Sequence, residues 1–449
     1  MFDLAARGTT VRTEVLGGVA TFVTMSYIVF VNPAILSAAG LPFAAVAVCT
    51  ALGAAIFTAI MGLVTNLPLA LASGLGLNAV VAFDLILGRG LSPGAAMACI
   101  LLEGLIAIVL VLAGLREAVV RAVPAPLKLA IGVGIGLFIT LVGLREGGIT
   151  VNNAATGIGL GDLSSGPALI ALAGILVAVC VSAAERRGAI LFGVATTLVL
   201  GLIFGVLEGP DGVTSIPDSS DFDIVGDAVG GDALSDALTI ALIPIIFTLF
   251  MTDFFDTVGT AYAVGRAGDL TDDNGDLPNT QRVLLVDSAA AAGGGLLGVS
   301  SITTYVESGA GVSEGARTGL ASLVTAGLFA LCVFLVPVFA LFGQGVQVGE
   351  ETFLHPAIAP ALVMVGYLML RLVRDIDWGD PEAAVPCFLV IVGIPLTFSI
   401  AAGIGFGVIG YVAVMAVRGK ARQVPVLMWL LVPLFLAFFE AGWLEREVF

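Results

Sequence analysis

The chain has 449 residues, 59% of them hydrophobic and only 12% charged, with a formal net charge of -16 and a mean hydropathy of +1.11. An ordinary soluble domain is about 25% charged, so this composition excludes a soluble globular class and describes a polytopic membrane protein. The acidic surplus argues against nucleic acid or anionic lipid as partner and resembles that of proteins kept soluble in concentrated salt.

In chain order, a short polar stretch with Arg7 and Arg12 precedes the first apolar run, which continues into Val31-Asn32-Pro33-Ala34 without a small-residue cleavage pattern. It reads as a membrane span, not a signal peptide. Runs of roughly 17 to 25 apolar residues cross the hydrocarbon as helix. They predict helices at 16–38, 43–64, 71–87, 94–115, 126–144, 166–184, 188–207, 234–265, 281–298, 303–316, 318–342 and 354–373. The stretch 383–417 reads either as two short spans or as one span after a re-entrant piece, and a last apolar segment covers 425–443. Arg116, Arg121, Lys128, Arg186, Arg187, Arg266, Arg282, Arg371 and Arg374 all fall on the side of the N-terminus. The positive-inside rule makes that side cytoplasmic. Glu208, Asp211, Asp218, Asp221, Asp223, Asp227, Asp232 and Asp236 crowd one loop without any Lys or Arg, which predicts an extracellular loop.

The two halves look related. Thr21-Phe22-Val23-Thr24-Met25-Ser26 parallels Leu249-Phe250-Met251-Thr252-Asp253-Phe254, and Ser73-Gly74-Leu75-Gly76-Leu77-Asn78 parallels Ser308-Gly309-Ala310-Gly311-Val312-Ser313. Seven spans per half is an odd number, so a duplication inserts its second copy upside down, and such transporters hold substrate near the midplane where broken helices meet. The segments 68–87 and 299–316 are the candidates, each with a polar or extended approach and a glycine pair, Gly74/Gly76 and Gly309/Gly311. Glycine allows close backbone approach to a ligand; helix packing is its alternative use.

Two lone carboxylates stand in these apolar segments. Asp256 lies in Phe254-Phe255-Asp256-Thr257-Val258-Gly259-Thr260, and Glu307 in Thr303-Thr304-Tyr305-Val306-Glu307-Ser308-Gly309. An ionisable residue at membrane depth marks a ligand or ion site by default. Asp253, three residues before Asp256, falls on roughly the same helical face. A carboxylate can accept two N–H groups of a planar heterocycle or take up a proton, and the amide of Asn78 can read a remaining edge. The alternative is that these acids bond nearby hydroxyls of Thr257, Thr260 or Ser308 for packing alone.

The five cysteines, Cys49, Cys99, Cys180, Cys332 and Cys387, fall singly in apolar runs and read as buried inert thiols. The single histidine, His355, builds neither a zinc site nor a triad; helix-end solvation or packing explains it, with pH sensing as the alternative. No metal or other cofactor is expected.

The ordered blocks Phe22 to Leu36, Gly74-Leu75-Gly76-Leu77-Asn78-Ala79, Phe255 to Thr260, Thr303 to Val312, Gly315 to Leu320 and Pro360 to Gly366 resemble the nucleobase:cation symporter family, in its adenine/guanine/hypoxanthine permease branch. The resemblance implies an all-α fold of fourteen transmembrane segments in two inverted repeats of seven. It divides the chain into a core domain, 16–115 with 234–342, and a gate domain, 116–207 with 343–449, with the acidic loop 208–233 between. Short strands and half-helices in segments 3 and 10 would flank the substrate. By motif position Asp256 is the segment-8 acid, Glu307 the segment-10 acid and Asn78 the segment-3 amide. Ser308, Gly309, Tyr305 and Phe255 complete the implied substrate-binding set, while Asp256, Glu307, Thr260 and Asp253 serve coupling. Thr260 stands where uracil permeases carry histidine. Val80 and Val81 replace aromatics common in this branch, so stacking on the base falls to Phe254, Phe255 or Tyr305.

The implied activity is purine-base uptake by cation symport, with a proton as coupling ion and sodium as the alternative, in the cytoplasmic membrane with a cytoplasmic N-terminus, and with a homodimer through the gate's outer helices. An anion carrier of sulfate or bicarbonate type is the first competing reading, though Glu307 would repel its substrate. An intramembrane hydrolase is the second, lacking a Gly-x-Gly-Asp motif and, with one histidine, any HExxH. The absence of a P-loop pattern argues against direct ATP drive.

Overall fold

A computed structural model describes residues 2–114, 123–153, 155–186, 188–209, 212–239, 242–271, 277–348 and 352–448, with the side chains of 255, 262, 352, 353 and 441–448 outside the description. Arg116, Arg121, Arg187, Asp211, the 115/116 domain boundary and the Phe255 side chain therefore lie outside the described residues.

The chain folds mainly into helices. The first span, Val11–Ser37, is α1 (Val11–Met25) and α2 (Ile28–Ser37) joined through Ser26 and Tyr27. Thr10 caps α1 by accepting the Thr13 N–H at 3.2 Å. Then come α3 (Phe43–Thr65), strand β1 (Leu71–Ser73), and α4 (Leu75–Ala79), which continues as a π-helix over Val80–Ile86. Next are α5 (Pro93–Leu112), α6 (Ala125–Glu146), a ribbon of β2 (Thr150–Asn153) with β3 (Gly157–Leu160), α7 (Gly166–Ala183) and α8 (Ala189–Ile203). The second half holds α9 (Ala233–Ala237), α10 (Ile243–Ala267), α11 (Thr280–Leu297), β4 (Ile302–Thr304), α12 (Ser308–Ser313), α13 (Gly319–Cys332) and α14 (Val336–Ala340). A ribbon of β5 (Val346–Val348) with β6 (Thr352–Leu354) leads to α15 (Ala359–Leu370), α16 (Pro381–Thr397), α17 (Ile400–Val417) and α18 (Val426–Val448).

Among the described residues, seven helices are long and apolar enough to cross a membrane, and a bent pair makes an eighth. The fold is mostly helical as expected; among the described residues three two-stranded antiparallel ribbons interrupt the helices, of which β1 with β4 falls in the two segments where short strands were implied and the other two, β2 with β3 and β5 with β6, are additions to the all-α expectation. The predicted helix 234–265 is two helices, since Pro244 cannot donate its backbone nitrogen and starts α10 afresh. The predicted helix 318–342 bends by 77° between α13 and α14, where Pro337 again opens the second piece. Of 303–316 only six residues are helical. The ambiguous stretch 383–417 resolves into α16 and α17, turned at Phe398 with φ of 52°.

Helices from the two halves interleave. α3 and α1 pack on α13, α5 packs on α11, and separately α6 packs on α15 and α16, with α16 against α17 and α7 against α8. The α3–α13 crossing is close enough that a Cβ on Gly319 would collide with the carbonyl of Gly62. At that same end Glu14, fully buried, accepts the N–H groups of Arg317 at 2.8 Å, Thr318 at 3.3 Å and Ala321 at 3.2 Å. The start of α13, which has donors without intrahelical partners, is thus satisfied from α1. Four cysteines are buried as expected, but Cys180 is exposed, on a helix that packs on few neighbours. His355 holds Glu146 through Nδ1 at 2.7 Å and ties β6 to the end of α6, which is the packing role.

Candidate substrate site at the strand crossing

The two glycine-broken segments cross as strands. β1 and β4 pair antiparallel with Leu71 opposite Thr304, Ala72 opposite Thr303 and Ser73 opposite Ile302. Polar backbone cannot be left bare inside a membrane protein, and each end of this short ladder is closed by a specific bond. The Gly74 N–H donates to the Ser301 carbonyl at 2.8 Å, and the Tyr305 N–H to the Ala70 carbonyl at 2.9 Å. Thr58 on α3 both donates to and accepts from Leu71 at 2.9 Å, Ser308 Oγ accepts the Ala70 N–H at 3.0 Å, and the Tyr305 hydroxyl donates to the Ser73 carbonyl. Gly74 is required here, since a Cβ would come within 2.8 Å of Thr303 Cγ2.

Beside this crossing lie Asp256, from the middle of α10, and Glu307, immediately before α12. Asp256 is exposed although it sits within a span-length helix, and Glu307 is half-buried. Asp256 is within electrostatic reach of Glu307 and of the Tyr27 and Tyr305 hydroxyls. Tyr27, buried between α1 and α2, donates to Glu307 Oε1 at 2.6 Å, and Thr24 reaches the Glu307 carbonyl at 3.5 Å. A side chain added at Gly259, three residues after Asp256, or at Gly309, two after Glu307, would meet nothing within 4 Å. Asp256 is thus open on its own helix, and unfilled space lies at Gly309, two residues beyond the half-buried Glu307. Chemically this arrangement offers acceptors for planar N–H groups, and among the described residues no Lys, Arg or His acts on either acid. A cavity of about 190 Å³ lined by Pro126, Asp380, Glu382 and Tyr411 touches neither acid, and its Glu382 is paired with Arg418 at 2.9 Å and with Lys420.

Residues 12–406 match the model of the Permease family, Xan_ur_permease. The chain belongs to this permease family. It is similar to the guanine/hypoxanthine permease PbuG of Bacillus subtilis, 39% identical with 98% of each chain covered. It is similar also to the adenine permease AdeQ of Escherichia coli, 38% identical over 97% of this chain and 94% of that one. In fold it is like the transmembrane domain of the cyanobacterial bicarbonate transporter BicA, with a TM-score of 0.60 and 17% identity over 87% of this chain and 97% of that one. Murine Slc26a9, an anion transporter, gives a TM-score of 0.60 at 11% identity over 90% of this chain and 68% of that one. The protein is thus a multi-pass membrane transporter and not an enzyme.

In the permease, the residues expected at the site divide into three groups. Asp256, Glu307 and Gly309 border open space. Asn78, on α4, is fully buried with both amide atoms lacking a hydrogen-bond partner. Ser308 and Tyr305 use their hydroxyls to fix the strand crossing, and Thr260 is buried on α10. Phe254 is buried with its ring 5.6 Å from that of Phe250. Three of the four singled-out glycines pack: Gly74 on Thr303, Gly76 on Ile135, and Gly311 on the Gly17 carbonyl and the Thr21 hydroxyl.

Asp253 does not share the open space of Asp256. It is 2% exposed and faces Glu103 of α5 and Asp287 of α11. Sequence reasoning passed over Glu103, Asp287 and Tyr27. The signal was present for the acids, since each is a lone carboxylate within an apolar run, the criterion that selected Asp256. Tyr27 lay inside one of the ordered blocks without a feature to separate it from its neighbours.

Proposed function

We propose that this permease takes up purine bases, hypoxanthine, guanine or adenine, across the cytoplasmic membrane by cation symport, with a proton as the coupling ion. The full-length similarity to proteins named guanine/hypoxanthine and adenine permeases supports purines as the substrate class. The observation that carries the mechanism is the placement of Asp256 and Glu307 beside unfilled space at the strand crossing. An ionised carboxyl group is an acceptor only, so the two acids take the N–H edge of the ring while the unpartnered amide of Asn78 reads another edge. Gly309 leaves room for the flat ring, and the Tyr305 ring stacks on it; the expected role of Phe255 falls on a side chain outside the described residues. Thr260 and Asp253 support coupling from behind Asp256.

The antiparallel pairing of β1 with β4 supports a seven-plus-seven inverted repeat. The two sets of packed helices support a core of 16–115 with 234–342 and a gate of 116–207 with 343–449. Movement of core against gate then alternates access, with the N-terminus cytoplasmic and the gate's apolar outer faces meeting in a homodimer. The anion-carrier reading rests on fold likeness alone, and two carboxylates with no cation acting on them among the described residues disfavour an anionic substrate.

The deciding experiment is uptake of radiolabelled hypoxanthine into proteoliposomes holding the purified protein, under imposed proton or sodium gradients, competed by adenine, guanine, xanthine and uracil. Saturable accumulation blocked by guanine and adenine is expected. Folded protein that accumulates no base under either gradient overturns the proposal.

A further inference from the structure

Glu103, Asp253 and Asp287 come from three different helices and meet in closed packing, at 0%, 2% and 3% exposure. They lie within electrostatic reach of one another, and among the described residues Asp256 is a further charged neighbour of Asp253. Among the described residues no Lys, Arg or His faces them, and no group of three ligating side chains is placed to hold a metal ion. Three buried carboxylates without a cation would carry a large desolvation penalty, and bound protons are the remaining way to balance them. Glu103 Oε1 and Oε2, Asp253 Oδ1 and the Ser301 hydroxyl, which faces Glu103, lack hydrogen-bond partners.

The hydroxyls between the acids impose an order. Thr257 donates to Asp287 Oδ2 at 2.7 Å, and its oxygen lies 2.8 Å from that of Thr303. A hydroxyl has a single proton. With Asp287 ionised, that of Thr257 is directed at Asp287, and Thr303 is then the donor to Thr257. Thr303 then offers only lone pairs to Asp253, which it faces, and a carboxyl group bonding to it must bring the proton. Asp287 suits the receiving end, because its Oδ1 also accepts the Thr304 N–H at 3.0 Å and the Thr304 hydroxyl at 2.8 Å.

We propose that Glu103, Asp253 and Asp287 form a shared proton site, and that the Thr303–Thr257 hydroxyl pair passes one proton between Asp253 and Asp287 during the transport cycle. Asp253 gives its proton to Thr303 Oγ, Thr303 gives its own to Thr257 Oγ, and Thr257 gives its own to Asp287. Each hydroxyl ends with one proton, the bonds point the other way, and the net change is one proton moved. Thr303 and Thr304 belong to β4, and Glu307 follows three residues later. Proton loading of Asp287 thus alters the bonds that hold the strand beside the substrate site. The transport role rests on the proton-coupled purine reading above; the proton site does not require it.

Infrared difference spectroscopy of the purified full chain in H2O and D2O, without purine, tests the site directly. A protonated-carboxyl C=O band at neutral pH that disappears in Asp253→Asn or Glu103→Gln is expected. A wild-type spectrum without such a band, or one untouched by both substitutions, overturns the proposal. For the relay, Thr303→Val is expected to lower hypoxanthine accumulation under a proton gradient about tenfold, the equivalent of one lost charge-assisted hydrogen bond, and Thr303→Ser to restore it. Thr303→Val accumulating like wild type overturns the relay. A wild-type protein that has the band but moves no purine supports the proton site and overturns the purine reading instead.

Discussion

Tyr27 donates its hydroxyl to Glu307 Oε1 at 2.6 Å, across 280 residues of sequence. The bond joins the break between α1 and α2 to the residue immediately before α12, and it leaves Oε2 of Glu307 as the oxygen not engaged by Tyr27. A hydrogen bond to a charged group contributes about 1.5 to 3 kcal/mol. Tyr27→Phe is therefore expected to weaken purine binding roughly tenfold or more while leaving the fold intact, because the ring stays packed. Equilibrium binding of radiolabelled hypoxanthine, beside a thermal melt of the same preparation, measures both; wild-type affinity would mean that Tyr27 does not position Glu307.

The two acids at the open space differ in surroundings, and their substitutions are expected to differ in effect. Glu307→Gln keeps the shape but turns one acceptor into a donor, and it is expected to remove most uptake through loss of binding. Asp256→Asn is expected to flatten the dependence of uptake on the proton gradient at least as much as it weakens binding. Initial rates at several purine concentrations, with and without the gradient, separate the two; identical phenotypes would undo this division of roles.

Gly309 and Gly319 make a controlled pair. Gly309→Ala places a methyl group in space with nothing within 4 Å, so the melting temperature is expected to stay near wild type while purine affinity falls. Gly319→Ala drives the methyl into the Gly62 carbonyl, and overpacking of this kind costs about 1 to 3 kcal/mol. A lower melting temperature and lower yield are expected for Gly319→Ala alone. If Gly309→Ala binds purine as wild type does, the open space beside it is not where the base lies.

Asn78 is fully buried with neither amide atom bonded. Removing a buried polar group that has no partner is close to neutral for stability, so Asn78→Ala is expected to melt no lower than a few degrees below wild type. Its effect is expected in the order of preference among hypoxanthine, guanine and adenine, read by competition. An unchanged order would remove Asn78 from substrate recognition.

Much of this molecule is written locally. The apolar runs, the lone carboxylates Asp256 and Glu307 and the glycine-broken segments around them are legible because hydropathy and desolvation belong to individual residues and short windows. The helix starts at Pro244 and Pro337 are also local signals, but they sit inside apolar runs whose hydropathy continues unbroken across them. The pairing of β1 with β4 has no local signature at all: three residues on each side make too short a pattern, and their partners lie 229 to 233 positions away by register.

Asp253 and Asp256 mark the boundary between the two kinds of information. That both are carboxylates on one helix at membrane depth is legible from the residues alone, since the cost of burying a charge is a property of residue type and of surroundings averaged over a span. That Asp256 borders open space while Asp253 closes onto Glu103 and Asp287 is set by how distant helices pack. A helix offers each residue a direction but not a neighbour, and the neighbours here arrive from α5, α11 and α12, placed by packing between distant parts of the chain.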